Sequence, residues 1–333
     1  MKKESKRIMV TGALGQIGTE LTVALRNKYG ADNVIATDCR PMPSEKLKNS
    51  GPFQTADVTD VDALDQVIRK YEIDTVYHLA AILSAVGEQK PQLCWRINME
   101  GTLNILELGV RHQMARIIIP SSIAVWGKGA PLENTPQESM LKPATMYGVT
   151  KVCGELLADY YVRRFGLDVR GLRYPGLISY ETPPGGGTTD YAVAIFYAAV
   201  TKGKFTCFVR EDTVLPMMYM PDAIRGTIEL AEADFARLRH HADFNLAAMS
   251  FSAGELAACI RKHVPDFEVT YEPDYHQAIA DSWPRSIDDS AAREQWGWKP
   301  DWGLESMTRD MLDHLQARLA NQGAAAAGPS RTP

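Results

Sequence analysis

The chain has 333 residues, 45% of them hydrophobic and 23% charged, a length and composition that exclude a small stapled scaffold and extensive intrinsic disorder. Its 36 lysine and arginine residues against 41 aspartate and glutamate residues give a net charge of −5 without a basic block, which argues against nucleic acid or an anionic membrane as a partner. A small-molecule partner is therefore favoured.

Short β-rich segments alternate with longer amphipathic segments over the first 180 residues. The predicted strands are Arg7–Thr11, Val34–Thr37, Gln54–Ala56, Thr75–Leu79, Ile117–Ser121 and Val169–Arg173. The predicted helices, in which apolar residues recur every three or four positions, are Ile17–Tyr29, Val61–Lys70, Cys94–His112 and Gly148–Phe165. This alternation predicts an α/β fold of the Rossmann type, a doubly wound parallel sheet with helices on both faces.

The alternation stops at Ser179, and we predict a smaller lobe after it. A mobile loop at Pro183–Gly187 is expected to lead into it. Its predicted elements are a helix over Tyr191–Lys202, a hairpin-like region through Val214, and helices near Pro221–Ala233, Ser252–His263 and Leu304–Ala320. The predicted division is a dinucleotide-binding domain over residues 1–180, a mainly substrate-binding lobe over 181–322 with some chain returning to the first domain, and a disordered tail over 323–333.

A glycine-rich turn follows the first strand and opens the first helix. Gly12, Gly15 and Gly18 stand in the spacing G-x-x-G-x-x-G, with Gln16 and Ile17 between the last two. Glycine lets the backbone approach phosphate oxygens, and a helix N-terminus offers free amides. The pattern therefore predicts a dinucleotide-phosphate loop.

Asp38 ends the second predicted strand, 20 residues after Gly18. A carboxylate at that position hydrogen-bonds the adenosine ribose of NAD. Arg40 lies close by and could bind the 2′-phosphate of NADP instead. The sequence therefore favours NAD but leaves NADP open.

Tyr147 and Lys151 lie four residues apart on a predicted helix and can share one face. A nearby cation favours the phenolate, so we expect Lys151 to draw the pKa of Tyr147 towards neutrality. Ser122 ends a predicted strand, where open α/β sheets place their ligands, and its hydroxyl can hold a substrate oxygen. These three residues are the predicted catalytic group.

The glycine loop, Ser122, Tyr147 and Lys151 together resemble the extended short-chain dehydrogenase/reductase family, over essentially Arg7 to Ala320. Within that family Tyr147 and Lys151 also contact the cofactor. The resemblance implies further cofactor-binding residues at Asp57, Val58, Leu79, Ala80, Ala81, Asn98, Tyr174 and Pro175. His78 is more often a core histidine than a catalyst, and we assign it no proton chemistry.

Longer blocks, Arg173–Ser179, Pro184–Val193 and Leu215–Asp222, are similar to one group within this family, the short-chain L-threonine 3-dehydrogenases. The resemblance implies NAD-dependent oxidation of L-threonine to 2-amino-3-oxobutyrate. It also implies that the substrate is bound by Ser84, Ser122, Tyr147, Gly187, Thr188, Thr189, Asp190 and Trp283.

The segment Thr188–Asp190 also has a physical reading that does not depend on the resemblance. Its hydroxyls and amides suit a carboxylate, and Asp190 could balance an ammonium group. Threonines and an aspartate before an amphipathic helix are also an N-capping signature, and both roles can coexist.

Two other functions remain open. One is a nucleotide-sugar epimerase or dehydratase of the same family, which needs a larger pocket. The other is a non-catalytic NAD-sensing protein, although such proteins typically lose the tyrosine or the lysine. By resemblance we also expect a homodimer formed through the helices Cys94–His112 and Gly148–Phe165.

The five scattered cysteines indicate neither a disulfide framework nor a metal site, so we expect no metal. The apolar run Ile8–Val10 is too short for a signal peptide, and no apolar stretch approaches the roughly 18 residues of a membrane span. We therefore expect a cytoplasmic protein that contacts neither membrane nor nucleic acid.

Overall fold

A computed structural model describes residues 7–183, 185 and 187–326, without the side chains of Lys46 and of residues 322–326. The strands are β1 (Ile8–Thr11), β2 (Val34–Asp38), β3 (Phe53–Thr55), β4 (Thr75–His78), β5 (Arg116–Ile118), β6 (Ser121–Ser122), β7 (Val169–Arg170), β8 (Leu172–Tyr174), β9 (Gly176–Ile178), β10 (Lys204–Cys207), β11 (Val214–Tyr219), β12 (Phe244–Asn245), β13 (Met249–Ser252) and β14 (Glu268–Tyr271).

The α-helices are α1 (Gln16–Tyr29), α2 (Glu45–Ser50), α3 (Val61–Tyr71), α4 (Ser84–Gln89), α5 (Pro91–Trp95), α6 (Gly101–Arg111), α7 (Met146–Phe165), α8 (Tyr191–Thr201), α9 (Met220–Glu232), α10 (Ala253–Arg261), α11 (Tyr275–Ala280), α12 (Ser290–Trp296) and α13 (Leu304–Ala326). A π-helical turn over Arg96–Glu100 joins α5 to α6, and a 3₁₀ turn over Ile123–Val125 follows β6.

Six strands form one parallel sheet in the order β3-β2-β1-β4-β5-β7. The direction of strand succession reverses between β1 and β4. This confirms the predicted doubly wound Rossmann-type sheet. Ligands of such sheets bind outside the carboxyl ends of the strands at this reversal, which places a crevice beside the residues that follow Thr11 and His78.

Helices cover both faces of this sheet, and β1, β2 and β4 are therefore buried along their whole length. One apolar cluster joins Leu21 and Leu25 of α1 to Ile224 and Ile228 of α9. A second cluster lies on the opposite face, with Leu64 of α3 among its buried members. Chain from after residue 180 thus helps to cover the first sheet.

The second half of the chain contributes two smaller sheets and a third apolar cluster. One sheet has the order β13-β11-β9, and the other pairs β10 with β14. Phe196 of α8 and Met311 of α13 lie fully buried in the third cluster. The short strand β12 returns to pair with β8, which also pairs with β6.

Three predicted segments have a different structure. The predicted strand Ile117–Ser121 is β5 and β6, because Pro120 has no amide to continue the ladder. The predicted strand Val169–Arg173 is β7 and β8, because Gly171 bonds to the returning chain at His241 and Phe244. The predicted hairpin through Val214 is wrong, since β10 and β11 pair with β14 and β13 rather than with each other.

The two segments predicted to be mobile or disordered are only partly described. Helix α13 continues to Ala326, so the predicted disordered tail is helical over residues 323–326, and the rest of it lies outside the described residues. In the predicted mobile loop, Pro184 and Gly186 also lie outside the described residues.

Candidate active site

A cavity of about 230 Å³ opens at the carboxyl ends of β1 and β4, facing the loop that precedes α8. Eighteen predicted site residues line it: Gly12, Gly15, Gln16, Ile17, Gly18, Leu79, Ala81, Ser84, Ser122, Tyr147, Lys151, Tyr174, Pro175, Gly187, Thr188, Thr189, Asp190 and Trp283. A second cavity of about 250 Å³ shares Gly12, Gly15, Leu79 and Ala81 with it and is also lined by Asp38, Asp57, Val58 and Ala80.

The predicted phosphate loop lies where the two cavities meet. Gly12 has φ +65°, and a Cβ atom there would come within 2.7 Å of the Ala80 amide nitrogen, so only glycine allows the loop to pass this close to the end of β4. The N-cap residue of α1 is Gly15, which has no side chain that could bind the first amides of the helix. The first amides of α1 therefore remain available for an anion, and the loop fits a dinucleotide pyrophosphate.

Asp38 lies in the second cavity with its carboxylate already bound by protein groups. Its Oδ1 accepts from Arg40 Nε at 2.9 Å, and its Oδ2 accepts from Arg40 Nη2 at 3.1 Å and from the Leu14 amide at 3.0 Å. Burial alone would raise the pKa of Asp38, but these hydrogen bonds outweigh burial and hold the pKa below its ordinary value. The carboxylate is thus ionised and faces the predicted adenosine end of the cavity.

The start of α7 places Tyr147 beside Ser122. The Thr145 hydroxyl caps the helix by accepting from the Gly148 amide at 3.0 Å. A Cβ atom on Gly148 would lie 2.2 Å from the Ala124 carbonyl oxygen, so glycine is required for this close packing against the turn after Ser122. The Ser122 oxygen accepts from the Ala124 amide at 3.2 Å, so its O–H can donate to the Tyr147 oxygen.

Lys151 lies one turn along α7, with its ammonium nitrogen 5.5 Å from the centre of the Tyr147 ring and 2.7 Å from the Pro120 carbonyl that it binds. Burial lowers the pKa of Lys151 to about 8. Burial also raises the pKa of Tyr147 to about 12, although a hydrogen bond with Ser122 partly opposes this rise. The expectation that Lys151 lowers the pKa of Tyr147 is therefore not met in this structure, because desolvation of the phenolate dominates.

Asn98 and His78 both line a much smaller chamber of about 20 Å³ behind the two site cavities, and His78 also lines the main cavity. Asn98 sits in the π-helical turn and bonds to the Ile82 amide at 2.8 Å, the Ile82 carbonyl at 3.1 Å and the Thr150 hydroxyl at 2.9 Å. These bonds support the site from behind, and contact between Asn98 and the cofactor stays a prediction. The His78 Nδ1 atom lies 2.8 Å from the Thr11 hydroxyl, and burial lowers the pKa of His78 to about 3, so its ring is neutral.

The loop before α8 closes the opposite side of the main cavity. The Thr188 hydroxyl is buried and, within the described part of the chain, has no hydrogen-bond partner. Asp190 precedes α8 but makes no side-chain capping bond, and its carboxylate instead accepts from the Gly187 amide at 2.8 Å. Capping therefore does not account for this segment.

Sequence reasoning missed several residues of the site. Leu83, Ile123 and Leu177 add apolar surface to the main cavity. Glu155, one helical turn beyond Lys151, was also missed. The four-residue spacing of Lys151 and Glu155 on one helix face was the sequence signal that could have indicated it.

One cluster of potential metal ligands occurs in the described part of the chain, formed by Glu138, His240 and Asp243. His240 and Asp243 lie 3.5 Å apart, and Arg173 is 3.9 Å from Asp243. These charges already form ion pairs, and we assign no metal there.

A doubly wound sheet with a glycine loop at its switch point and a serine, a tyrosine and a lysine around one cavity defines an extended short-chain dehydrogenase/reductase. Residues 8–247 match the family described as the NAD dependent epimerase/dehydratase family, and the chain belongs to this family. Among the described residues, no helix is both long and apolar enough to cross a membrane.

Similar proteins carry two kinds of description. An uncharacterized epimerase/dehydratase of Staphylococcus haemolyticus is 47% identical, over 95% of this chain and 100% of its own length. The structure of L-threonine dehydrogenase from Clostridium difficile is 48% identical with a TM-score of 0.92, over 95% of this chain and 99% of that chain. A monomeric L-threonine 3-dehydrogenase from a metagenome is 49% identical with a TM-score of 0.90, over 93% of this chain and 99% of that chain.

Proposed function

We propose that the protein oxidises L-threonine at its β-carbon to 2-amino-3-oxobutyrate, with NAD as the hydride acceptor. The observation that carries this proposal is the content of the main cavity, where Ser122, Tyr147 and Lys151 face the segment Gly187–Asp190 and Trp283. The hydroxyl and carboxylate groups of Thr188 and Asp190 and the indole of Trp283 line the same cavity as the catalytic group, which suits a small substrate that carries both charges. We further propose that residues 181–322 form mainly the substrate lobe.

The chain's own groups suit this chemistry. The glycine loop and the start of α1 would hold the pyrophosphate, Asp38 the adenosine ribose, and Lys151 the nicotinamide ribose. Bound NAD supplies the acceptor for the hydride that leaves the substrate Cβ. Ser122 donates a hydrogen bond to the substrate hydroxyl oxygen, the phenolate form of Tyr147 takes the hydroxyl proton and becomes a phenol, and a carbonyl forms at Cβ. Because burial raises the pKa of Tyr147 to about 12, the phenolate is the minor form near neutral pH. The Thr188 hydroxyl and Asp190 would bind the carboxylate and the ammonium group, while Trp283 excludes water.

Formation of NADH on mixing the protein with NAD tests this function directly. We expect absorbance to rise with L-threonine, more slowly with L-serine, and not with UDP- or dTDP-sugars. The family description and the S. haemolyticus relative favour a second candidate, a nucleotide-sugar epimerase or dehydratase. Turnover of a nucleotide sugar without turnover of threonine would replace the first function by the second.

The Asp38 carboxylate makes a prediction about cofactor choice. We expect kcat/KM with NAD to exceed that with NADP by about 10²-fold or more, because the carboxylate repels a 2′-phosphate. Asp38→Asn should reduce this preference by about tenfold or more, since it removes the charge and releases Arg40 to bind phosphate. Asp32→Asn, which removes an exposed charge outside both cavities, is the matched control. Equal use of the two cofactors by the unaltered protein would contradict the prediction.

We also propose a homodimer that forms through α5, α6 and α7. Leu156 and Tyr160 on α7 are 63% and 50% exposed, and Trp95 and Leu103 on the neighbouring helices are 45% and 42% exposed. Exposed large apolar side chains on neighbouring helices are typical of a protein interface. Light scattering at micromolar concentration should give twice the chain mass, and Leu156→Glu should halve it. Met42→Glu, at an exposed methionine elsewhere, should have no effect. A monomeric unaltered protein would overturn the proposal.

A further inference from the structure

A buried ion pair lies directly behind the candidate active site. Glu155 of α7 and Arg173 of β8 form two parallel hydrogen bonds, Nε to Oε1 at 2.9 Å and Nη2 to Oε2 at 2.8 Å, and their side chains are only 6% and 3% exposed. The Ser121 hydroxyl also donates to Glu155 Oε1. We name this group of Ser121, Glu155 and Arg173 the clasp.

The clasp joins the three elements that carry the candidate catalytic and cofactor residues. Ser121 and Ser122 both line the main cavity, but the Ser121 hydroxyl donates to Glu155 in the clasp, whereas Ser122 bonds with Tyr147. Tyr147, Lys151 and Glu155 recur every fourth residue of α7 and so share a face of that helix. Arg173 immediately precedes Tyr174, which lines the main cavity. The clasp therefore holds β6, α7 and β8 together. Each of its residues lies either next to a functional residue in the sequence or one helical turn away from it.

Glu155 also faces Lys151 across the small chamber, which both residues line. The other titratable groups that face Lys151 are His78 of β4, which is neutral, Cys94 of α5, and Tyr147, whose ring centre lies 5.5 Å from the ammonium. Burial lowers the pKa of Lys151, whereas Glu155 and then Cys94 oppose that decrease. Burial raises the pKa of Glu155, and the hydrogen bonds from Arg173 and Ser121 oppose that rise. If Glu155 lost its charge, Arg173 would keep the more distant Asp243, 3.9 Å away, as its counter-charge.

We propose that Glu155 is a positioning residue for the reaction: through Ser121 it holds the Ser122 hydroxyl against Tyr147, and across the chamber its carboxylate balances the Lys151 ammonium. This inference rests on the proposed function. The proposal gives the ion pair more than a structural role. A second ion pair in the chain serves as the control for a purely structural role. Arg170 and Asp168 form an equally buried, doubly hydrogen-bonded pair that lines neither of the two large cavities nor the chamber.

The charge of Glu155 is tested by Glu155→Gln and the pH dependence of kcat. Loss of the carboxylate removes the negative charge that faces Lys151 and leaves Arg173 with Asp243 as its remaining counter-charge, so the pKa of Lys151 should fall by about one unit. Activity should then be about tenfold lower than in the unaltered protein above pH 8, and the difference should disappear below about pH 7. Asp168→Asn should reduce thermal stability without moving the profile. Equal profiles for Glu155→Gln and the unaltered protein would overturn the proposal.

Ser121→Ala tests the positioning of Ser122 and keeps the proposal falsifiable if Glu155→Gln does not fold. This variant removes one hydroxyl but keeps the Glu155–Arg173 pair. If the Ser122 hydroxyl is positioned less precisely in this variant, kcat should fall by about tenfold while KM for threonine stays within about twofold. An unchanged kcat would show that the clasp does not position Ser122.

A measurement without substrate separates failure of this proposal from failure of the proposed function. The ¹³Cε resonance of Lys151, assigned with Lys151→Arg in ¹³C-lysine-labelled protein, reports its titration directly. Its midpoint should move down by about one pH unit in Glu155→Gln and stay in place in Asp168→Asn. A midpoint that stays in place in Glu155→Gln overturns the electrostatic part of the proposal, whether or not threonine is the substrate.

Discussion

Tyr147→Phe is expected to lower kcat for threonine oxidation by about 10³-fold while the fold and NAD affinity are retained. The substitution removes only the phenol oxygen, which is the group proposed to take the substrate proton, and acid–base groups of this kind contribute roughly 10²–10⁴-fold. The ring is half-buried and packs against the apolar cluster that contains Ile123, and phenylalanine preserves that packing. Steady-state kinetics, a melting curve and NAD titration measure the three quantities.

The control for this variant is Tyr197→Phe, which removes a phenol oxygen that binds the Tyr180 carbonyl at 3.1 Å and lines neither large cavity. Its kcat should stay within about twofold of that of the unaltered protein. A Tyr147→Phe variant with a near-normal rate would mean that another group accepts the proton. It would also be the expected result for a non-catalytic NAD-sensing protein.

Thr188→Val is expected to lower kcat/KM for threonine by about 10²-fold, with NAD affinity unchanged. Valine has the same shape as threonine, so only the buried hydroxyl is removed. That hydroxyl has no partner in the described part of the chain, and a buried hydroxyl without a partner costs about 1–3 kcal/mol. A substrate carboxylate that binds it relieves this cost, and a small substrate has few other contacts to compensate for its loss.

Thr22→Val is the matched control for this prediction. The Thr22 hydroxyl is equally buried and has no partner among the described residues, but it lies on α1 and lines neither large cavity. Its kinetics should match those of the unaltered protein. If both variants keep their kcat/KM for threonine, the hydroxyl of Thr188 does not bind the substrate.

The parts of the fold that could be predicted from the sequence are those specified by local pattern. The alternation of strands and helices predicted the sheet, and the glycine loop indicated the edge where ligands bind. The pairing of β10 with β14 and of β11 with β13 could not be predicted, because the partners are distant in the sequence and short strands carry no signal for register. The break at Gly171, where the chain passes from one sheet to another, could not be predicted either. The apolar pattern continues across it and resembles that of a single strand.

The candidate site shows the same division between local and long-range information. Short sequence motifs predicted most of the site residues, and most of those residues line a single cavity. The electrostatics could not be predicted from spacing. Tyr147 and Lys151 are one helical turn apart, as expected, but the depth of burial determines their pKa values, and burial depends on the whole fold.

The shared apolar cluster of α1 and α9 has a consequence for cooperativity. Leu21 and Leu25 pack against Ile224 and Ile228, and β12 completes a sheet with β8, so each half of the chain supplies part of the other half's core. A chain ended near residue 180 would expose this surface to water. We therefore expect the two halves to melt as one unit rather than in sequence, and we expect that the second half cannot be exchanged as an independent domain.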